Sequence, residues 1–162
     1  MPDETEPTSL ADIARRRAAR DASTPFVLTI GEVEPYPVQA RSYGRMVGRA
    51  ARLTRALREA GVEPGARVGC YLPNSPSWVV ASLGVWWCRA AVAAVGTLLP
   101  GVEAARLFDL AEVATVVTVA DAPALPGDHR VLRLDADGVL EDEADPGEID
   151  WDAADLVLPA PD

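Results

Sequence analysis

The sequence predicts an α/β fold, with a parallel βαβαβ sheet of three to four strands, helices on both faces and a small edge hairpin. Short apolar runs alternate with helical patterns between residues 68 and 120, in the order strand, helix, strand, helix, strand. The links between these elements are short, which favours right-handed crossovers between parallel strands. A chain of 162 residues, 49% of them hydrophobic, is long enough for one domain with a sizeable core.

A first helix is predicted to end near Arg20, with Thr8 or Ser9 as its N-cap. Residues 26–30 and 36–40 then form the two strands of the hairpin, joined by a turn over residues 31–35. Prolines in and beside the second strand confine this hairpin to a sheet edge, because proline cannot donate to a strand ladder.

Ser42 is predicted to cap a long amphipathic helix that ends near Ala60, with Gly61 as the C-terminal cap. One side of this helix carries five arginines: Arg45, Arg49, Arg52, Arg55 and Arg58. They suggest either a site for phosphate or an acidic partner, or a solvated polar face. We favour the solvated face, because the protein uses arginine for all 15 of its basic residues and contains no lysine.

The central unit begins with a buried strand at residues 68–72, followed by a turn in which Ser75 is the N-cap and Pro76 the first helical residue. The helix at residues 77–89 is apolar nearly all round and should be buried on more than one side. A second buried strand is predicted at 91–97, and a third, rich in β-branched residues, at 115–120. Between them lies a helix at 102–113, with Leu107, Leu110 and Ala111 inward. A fourth strand at 131–134 is followed by a turn at Asp137-Gly138, which pairs it with Val139-Leu140 as a hairpin.

The charge is divided unevenly along the chain. Residues 1–133 carry 14 acidic and 15 basic side chains, whereas residues 134–162 carry 11 acidic side chains and no basic one. We therefore divide the chain into an α/β unit at 1–134 and an acidic, mostly irregular segment at 135–162. The net charge of −10 argues against a nucleic-acid partner, which would require a basic face.

The sequence favours a cytoplasmic protein without a transmembrane segment. The N-terminus lacks the basic-then-apolar order of a secretory signal. The apolar stretch 78–99 would place Arg89 at the bilayer centre, at a cost of about 2.5–3.5 kcal/mol, and it divides naturally into a helix and a strand. We interpret Cys70 and Cys88 as buried free thiols, with a disulfide as the alternative.

The residues alone indicate no catalytic constellation. Neither a GxGxxG nor a GxxxxGK[ST] motif is present, and the second cannot occur without lysine. We assign the turn at 73–76 to helix capping rather than anion binding, His129 to the surface, and the tail acids to a solvated linker rather than a calcium loop. The tryptophans at 78, 86 and 87 are interpreted as core rather than as a ligand platform. We assign no catalytic, cofactor-binding or metal-ligating residue.

The ordered string LREAGVEPGARVGCYLPNSPSWVVASLGVWWCRAAVAAVGT, followed by VEAARLFDLAEVATVVTVAD, resembles the N-terminal part of the AMP-forming adenylating enzymes. It is most similar to acyl-CoA synthetases (fatty-acid–CoA ligases), over roughly residues 26–121. Luciferases, aryl-CoA ligases and the adenylation domains of peptide synthetases share this opening. The chain would then be a partial N-terminal subdomain of an adenylate-forming enzyme, with residues 135–162 leading toward a phosphate loop that it does not contain.

The resemblance implies that a parent enzyme uses ATP, magnesium and coenzyme A to activate a carboxylate as an acyl-adenylate and pass it to a thiol. Its phosphate loop, adenine pocket and catalytic lysine have no counterpart in these 162 residues. We therefore expect this chain alone to be inactive, to dock on the remaining subdomains of the parent and to self-associate through an exposed apolar face. The alternative is a stand-alone, non-catalytic interaction or dimerisation domain of the same descent.

Overall fold

The computed structural model describes residues 9–141, which form four helices and six strands. In chain order the elements are α1 (Leu10–Arg20), β1 (Pro25–Ile30), β2 (Val38–Ser42), α2 (Tyr43–Glu59), β3 (Arg67–Tyr71), α3 (Pro76–Trp87), β4 (Ala91–Val95), α4 (Gly101–Leu110), β5 (Thr115–Val119) and β6 (Arg130–Leu134). The predicted 135–162 segment lies outside the described residues from position 142 onward.

Strands β3 to β6 form a four-stranded sheet in the order β4-β3-β5-β6, and every neighbouring pair is parallel. This confirms the predicted fold class. Strands β1 and β2 pair antiparallel as a two-stranded sheet of their own. The second strand of this hairpin starts at Val38 rather than Tyr36, because Tyr36 has a positive φ of 53°, which lies outside the β region.

The sheet separates two cores. Val68, Cys70 and Leu72 face the core that contains α1, α2 and α3, whereas Tyr71 faces a smaller core built around Phe108 of α4. Gly69 lies on the α4 face, where an added Cβ would be 2.9 Å from Phe108 Cε1. This glycine therefore makes room for the phenyl ring against the middle of the sheet.

The long helix α2 begins and ends as predicted. The Ser42 hydroxyl accepts from Arg45 N at 3.3 Å. At the other end Gly61 has a φ of +84°, and Val62 N donates to Leu57 O at 3.0 Å, as in a Schellman cap. In the same way the Ser9 hydroxyl accepts from Asp12 N at the start of α1.

Helix α3 is buried on several sides, as its composition predicts, and packs on α2 through small residues. Thr54 on α2 donates to Gly84 O at 3.2 Å, and an added Cβ at Gly84 would lie 3.1 Å from Leu53 Cδ2. The apolar stretch at 78–99 is divided between α3 and β4. Within residues 9–141, no helix is both long enough and apolar enough to span a bilayer.

The predicted burial of one strand and of one helix face is wrong. Strand β4 is an edge strand with Ala91 and Ala94 exposed, not a buried strand, since no strand of the described part pairs with its outer edge. On α4, Leu107 is 46% and Leu110 82% exposed, while Ala104, Ala105 and Phe108 are buried instead. Helix α4 turns Phe108 toward the sheet, where the missing side chain of Gly69 leaves room for the ring. The amphipathic pattern of α4 does not indicate this contact, because Gly69 lies in another element.

Candidate functional site

The carboxyl edge of the parallel sheet has the topology of a ligand-binding crevice. The chain leaves β3 toward β4 on one side and leaves β5 toward β6 on the other, so the strand order reverses between β3 and β5. Open α/β sheets bind ligands in the crevice at such a reversal. The turn at residues 73–76 follows β3 and the loop that begins at Ala120 follows β5, so both leave the sheet at this edge.

The polar groups at this edge are bonded to the backbone. The Tyr71 hydroxyl donates to Leu99 O, and the Thr118 hydroxyl donates to Tyr71 O at 2.9 Å. Burial raises the pKa of Tyr71 above its ordinary value, which keeps the phenol a neutral donor. These bonds tie the loop after β4 and strand β5 to β3, so their role is to hold the edge together.

The prediction that Ser75 caps α3 is half right. Its backbone has the extended conformation of an N-cap and Pro76 follows at the first turn, but the side chain makes no capping bond. Instead the Ser75 hydroxyl donates to Pro73 O at 3.2 Å and lies 2.6 Å from Ser77 Oγ. Serine side chains often bond locally in this way.

An apolar cavity of about 300 Å³ lies between α1, β1, the start of α2 and α3. The rings of Phe26 and Tyr43 are stacked at one wall, with centroids 4.2 Å apart and an interplanar angle of 7°. Trp78 and Trp86 of α3 also line this cavity. Both are half-buried, so the prediction that the tryptophans are core side chains is confirmed in full only for Trp87.

Two predicted surface residues are buried. The side chain of His129 is 7% exposed, with Nδ1 3.0 Å from Val113 O and the ring edge-on to Phe108. Arg49 is 4% exposed and donates from Nη1 to Asp137 O at 2.8 Å, so it does not belong to a solvated face. Each of these two contacts joins segments that are distant in the sequence. Helical periodicity and local composition therefore could not predict the burial of either side chain.

The two cysteines are free and buried, as predicted. Burial raises the pKa of the Cys70 thiol from 9.0 to about 12. Burial also raises the pKa of Cys88, and the nearby Arg58 guanidinium partly opposes this. Neither thiol is set up as a nucleophile, because the reactive thiolate is disfavoured at both positions.

We expect Cys70 in the native protein to resist alkylation at pH 8, since a three-unit rise in pKa lowers the thiolate fraction about 10³-fold. The same shift makes folding stability fall as the pH rises from 9 toward 12. Iodoacetamide labelling followed by peptide mass analysis measures each cysteine, with urea-unfolded protein as the control. Equal labelling rates in the native and unfolded protein would contradict the buried position.

The carboxylate, histidine and cysteine side chains of the described part are dispersed. Among residues 9–141, no group of three histidine, cysteine or carboxylate side chains is placed to hold a metal ion. The chain contains no lysine, and Pro76 removes one donor from the N-terminus of α3, where an anion would otherwise be attracted.

The outer side of α4, with the loop before it, exposes an apolar face formed by Leu98, Val102, Leu107 and Leu110. Leu98 belongs to the loop that follows β4, the outermost strand on one side of the four-stranded sheet. Exposed apolar faces of this kind commonly mark surfaces that pack on further protein. The sequence contains the signal, since Leu107 and Leu110 are three residues apart, but these two side chains face outward rather than toward the core.

One family model and several curated proteins are similar to this chain. A family model described as AMP-binding enzyme matches residues 14–162. Pyochelin synthetase PchE of Pseudomonas aeruginosa is 35% identical over 100 residues, which are 61% of this chain and 7% of that protein. The 3-oxocholest-4-en-26-oate–CoA ligase of Rhodococcus rhodochrous is 34% identical over 76 residues, 47% of this chain and 14% of that protein. The chain thus spans only a small part of the curated relatives that it matches.

Solved structures share the fold. The nonribosomal peptide synthetase FmoA3 superposes with a TM-score of 0.70 at 24% identity, over 86% of this chain and 14% of that one. The fatty acid AMP ligase from Legionella pneumophila superposes with a TM-score of 0.66 at 18% identity, over 77% of this chain and 23% of that one. Both likenesses place the βαβαβ sheet and its helices within a much longer chain.

Proposed function

Because this chain belongs to the family of AMP-binding enzymes, we propose that it is the N-terminal α/β portion of an ATP-dependent acid–thiol ligase and supplies scaffold rather than chemistry. The match of the family model to residues 14–162 carries this proposal. The parent enzyme joins a carboxylate to the α-phosphate of ATP with loss of pyrophosphate, and a thiol then displaces AMP. The acid that we favour is a fatty acid and the thiol coenzyme A, which makes the parent an acyl-CoA synthetase.

A second acceptor class has support from the relatives. Pyochelin synthetase PchE is named as a synthetase, and FmoA3 as a nonribosomal peptide synthetase. The second candidate is therefore an adenylation domain that activates an amino or aryl acid for transfer to a carrier-protein thiol. The two candidates share the first half-reaction and differ in the acid and in the thiol.

The contribution of these 162 residues is structural. Phosphoryl and adenylyl transfer depend on cations and donors aimed at the charge that develops in the transition state. The polar groups at the carboxyl edge of the sheet are bonded to backbone atoms, and the basic residues of the chain are all arginine. We infer that this unit positions the loops of the neighbouring subdomains and is inactive without them.

The test is an activity assay on the complete product of the gene that encodes this chain. We expect AMP release that depends on both a carboxylic acid and a thiol. Fatty acids with coenzyme A support the first candidate, and amino or aryl acids with a carrier protein support the second. A complete product that ends at Asp162 and activates no acid would contradict both and favour the stand-alone interaction domain.

The exposed apolar face on α4 predicts weak self-association of the isolated chain. Light scattering behind size exclusion should show a concentration-dependent rise in mass, and Leu110→Glu should abolish it. Leu110 is 82% exposed, so this change does not disturb the core. Arg106→Glu, at an exposed polar position of the same helix, is the matched control and should leave the association unchanged. A monomer at every concentration would contradict the prediction.

A further inference from the structure

The apolar cavity beside α1 has the size and the lining of a small-molecule site. It measures about 300 Å³ and lies between α1, β1, the start of α2 and α3. Ligand pockets in proteins begin at about this volume and are lined mainly by apolar and aromatic side chains. We call this space the α1 cavity.

The α1 cavity exists because α1 packs on the core through small side chains. The buried residues of this helix are Ala11, Ala14 and Ala18. Ala14 lines the cavity, together with Trp78 and Trp86 of α3. A methyl group extends only one carbon from the backbone, so α1 lies against the core without filling the space beside the two indole rings.

The largest apolar side chains of α1 stand at this space without being buried. Leu10 and Ile13 both line the cavity, yet they are 64% and 49% exposed. Trp78 and Trp86 are themselves only half-buried. A bound apolar molecule would therefore cover surface that the described part of the fold leaves in contact with water, which favours binding.

The lining of the α1 cavity is uncharged. None of the described residues around it carries a charged side chain. The Ser82 hydroxyl, which also lines the cavity, donates to Trp78 O at 2.9 Å. A carboxylate or phosphate that entered would lose its hydration without meeting a cation in this lining. The chemistry of the lining therefore selects a neutral ligand.

Aromatic side chains dominate the lining and indicate the shape of the ligand. Phe26 and Tyr43 are stacked at one wall, and Trp78 and Trp86 add two indole rings. Aromatic rings attract one another beyond the area that they bury. An apolar cavity of about half this volume is enough to hold benzene. The α1 cavity therefore matches two fused aromatic rings rather than one.

We propose that the α1 cavity binds a neutral molecule with two fused aromatic rings, of the size of indole. The ligand packs on Trp78 and Trp86 of α3 and against Leu10 and Ile13 of α1, so it fastens α1 to the rest of the fold. This binding activity goes beyond the scaffold role, and it does not depend on which acid or thiol the parent enzyme uses.

Indole itself is the probe, and the tryptophan indole N–H resonances of the isotope-labelled chain are the readout. We expect a saturable shift of the Trp78 and Trp86 resonances, with a Kd below about 1 mM for a ligand of so few atoms. Trp87 is the internal control and should shift much less. It is buried in the same core, but it is not one of the described residues that line the cavity.

Ala14→Leu tests the location of the site. The longer side chain fills part of the cavity, so the affinity for indole should fall at least about tenfold. Ala19→Leu makes the same exchange at an exposed position of α1 and should leave the affinity unchanged. Nuclear Overhauser contacts from indole to the rings of Phe26, Trp78 and Trp86 in the unchanged protein locate the ligand even where Ala14→Leu does not fold.

Two further ligands test the chemistry of the site. Indole-3-carboxylate adds a negative charge to the same rings and should bind at least about tenfold more weakly than indole. The alcohol n-octanol has as many heavy atoms as indole but no ring, and it should also bind more weakly. Equal or tighter binding of either ligand would contradict the proposed neutral, two-ring selectivity.

The proposal would be overturned by an absence of saturation at tenfold higher indole, or by a shift that Ala14→Leu leaves intact. Overhauser contacts in the ligand-free protein would also overturn it if they join Trp78 and Trp86 to the chain that precedes α1 or to a second copy. In either case the cavity would be filled by protein rather than by a small molecule.

Discussion

Replacing Phe108 with alanine is expected to lower the free energy of unfolding by about 3–5 kcal/mol, one of the two largest effects expected in this chain. The ring is 1% exposed and lies over Gly69 on the α4 side of the sheet. It also packs edge-on to Tyr71, with centroids 6.4 Å apart, and to His129. Its removal leaves a cavity where two segments of the chain meet, and urea unfolding followed by circular dichroism measures the loss.

Leu110→Ala is the matched control on the same helix. Leu110 is the position that the amphipathic pattern places inward, but it is 82% exposed, so its truncation should change stability by no more than about 0.5 kcal/mol. A cost at Leu110 equal to that at Phe108 would mean that α4 is rotated relative to the sheet.

Gly101→Ala should cost about 3 kcal/mol, at the upper end of what overpacking usually costs. An added Cβ at Gly101 would collide with the carbonyl oxygen of Ala124 and lie 2.8 Å from its carbonyl carbon. Both are backbone atoms, so no side-chain rotation relieves the clash. Either α4 or the loop after β5 has to move.

The control for this prediction is Gly96→Ala in the loop after β4. An added Cβ at Gly96 meets nothing within 4 Å, and the exchange should be neutral or raise stability by up to about 1 kcal/mol. Thermal unfolding of both variants and of the unchanged protein measures the difference, and only Gly101→Ala should lower the midpoint. Equal midpoints for the two variants would contradict the close approach at Gly101.

The features of this fold that could be predicted from sequence are those set by local chemistry. Ser42 and Gly61 bound α2 because capping depends on neighbouring residues. The strands were recognisable because short β-branched runs between turns bury both faces of a sheet, as in β5. The parallel order followed from the alternation of strands and helices.

The features that could not be predicted depend on partners distant in sequence. Phe108 is buried because Gly69 lies opposite it, and Arg49 is buried because the chain returns past it at Asp137. The apolar cavity was missed for the same reason: its stacked rings, Phe26 and Tyr43, come from different elements. Neither the spacing nor the type of these residues reveals the contacts.

For function, the decisive signal was the ordered string of motifs rather than any reactive side chain. The family match supports the expectation that this unit descends from an adenylating enzyme. The described side chains support a scaffold role. The Cys70 thiol is buried with a raised pKa, and His129 and the Tyr71 hydroxyl each contact a backbone carbonyl oxygen.

The central claim is that these 162 residues provide scaffold and no chemistry, and ATP–pyrophosphate exchange tests it most directly. The purified chain, supplied with ATP, magnesium, labelled pyrophosphate and a panel of fatty, aryl and amino acids, should give no exchange above the protein-free background. Exchange that depends on an added carboxylic acid, and that copurifies with the chain, would contradict the claim and require an adenylating site within it.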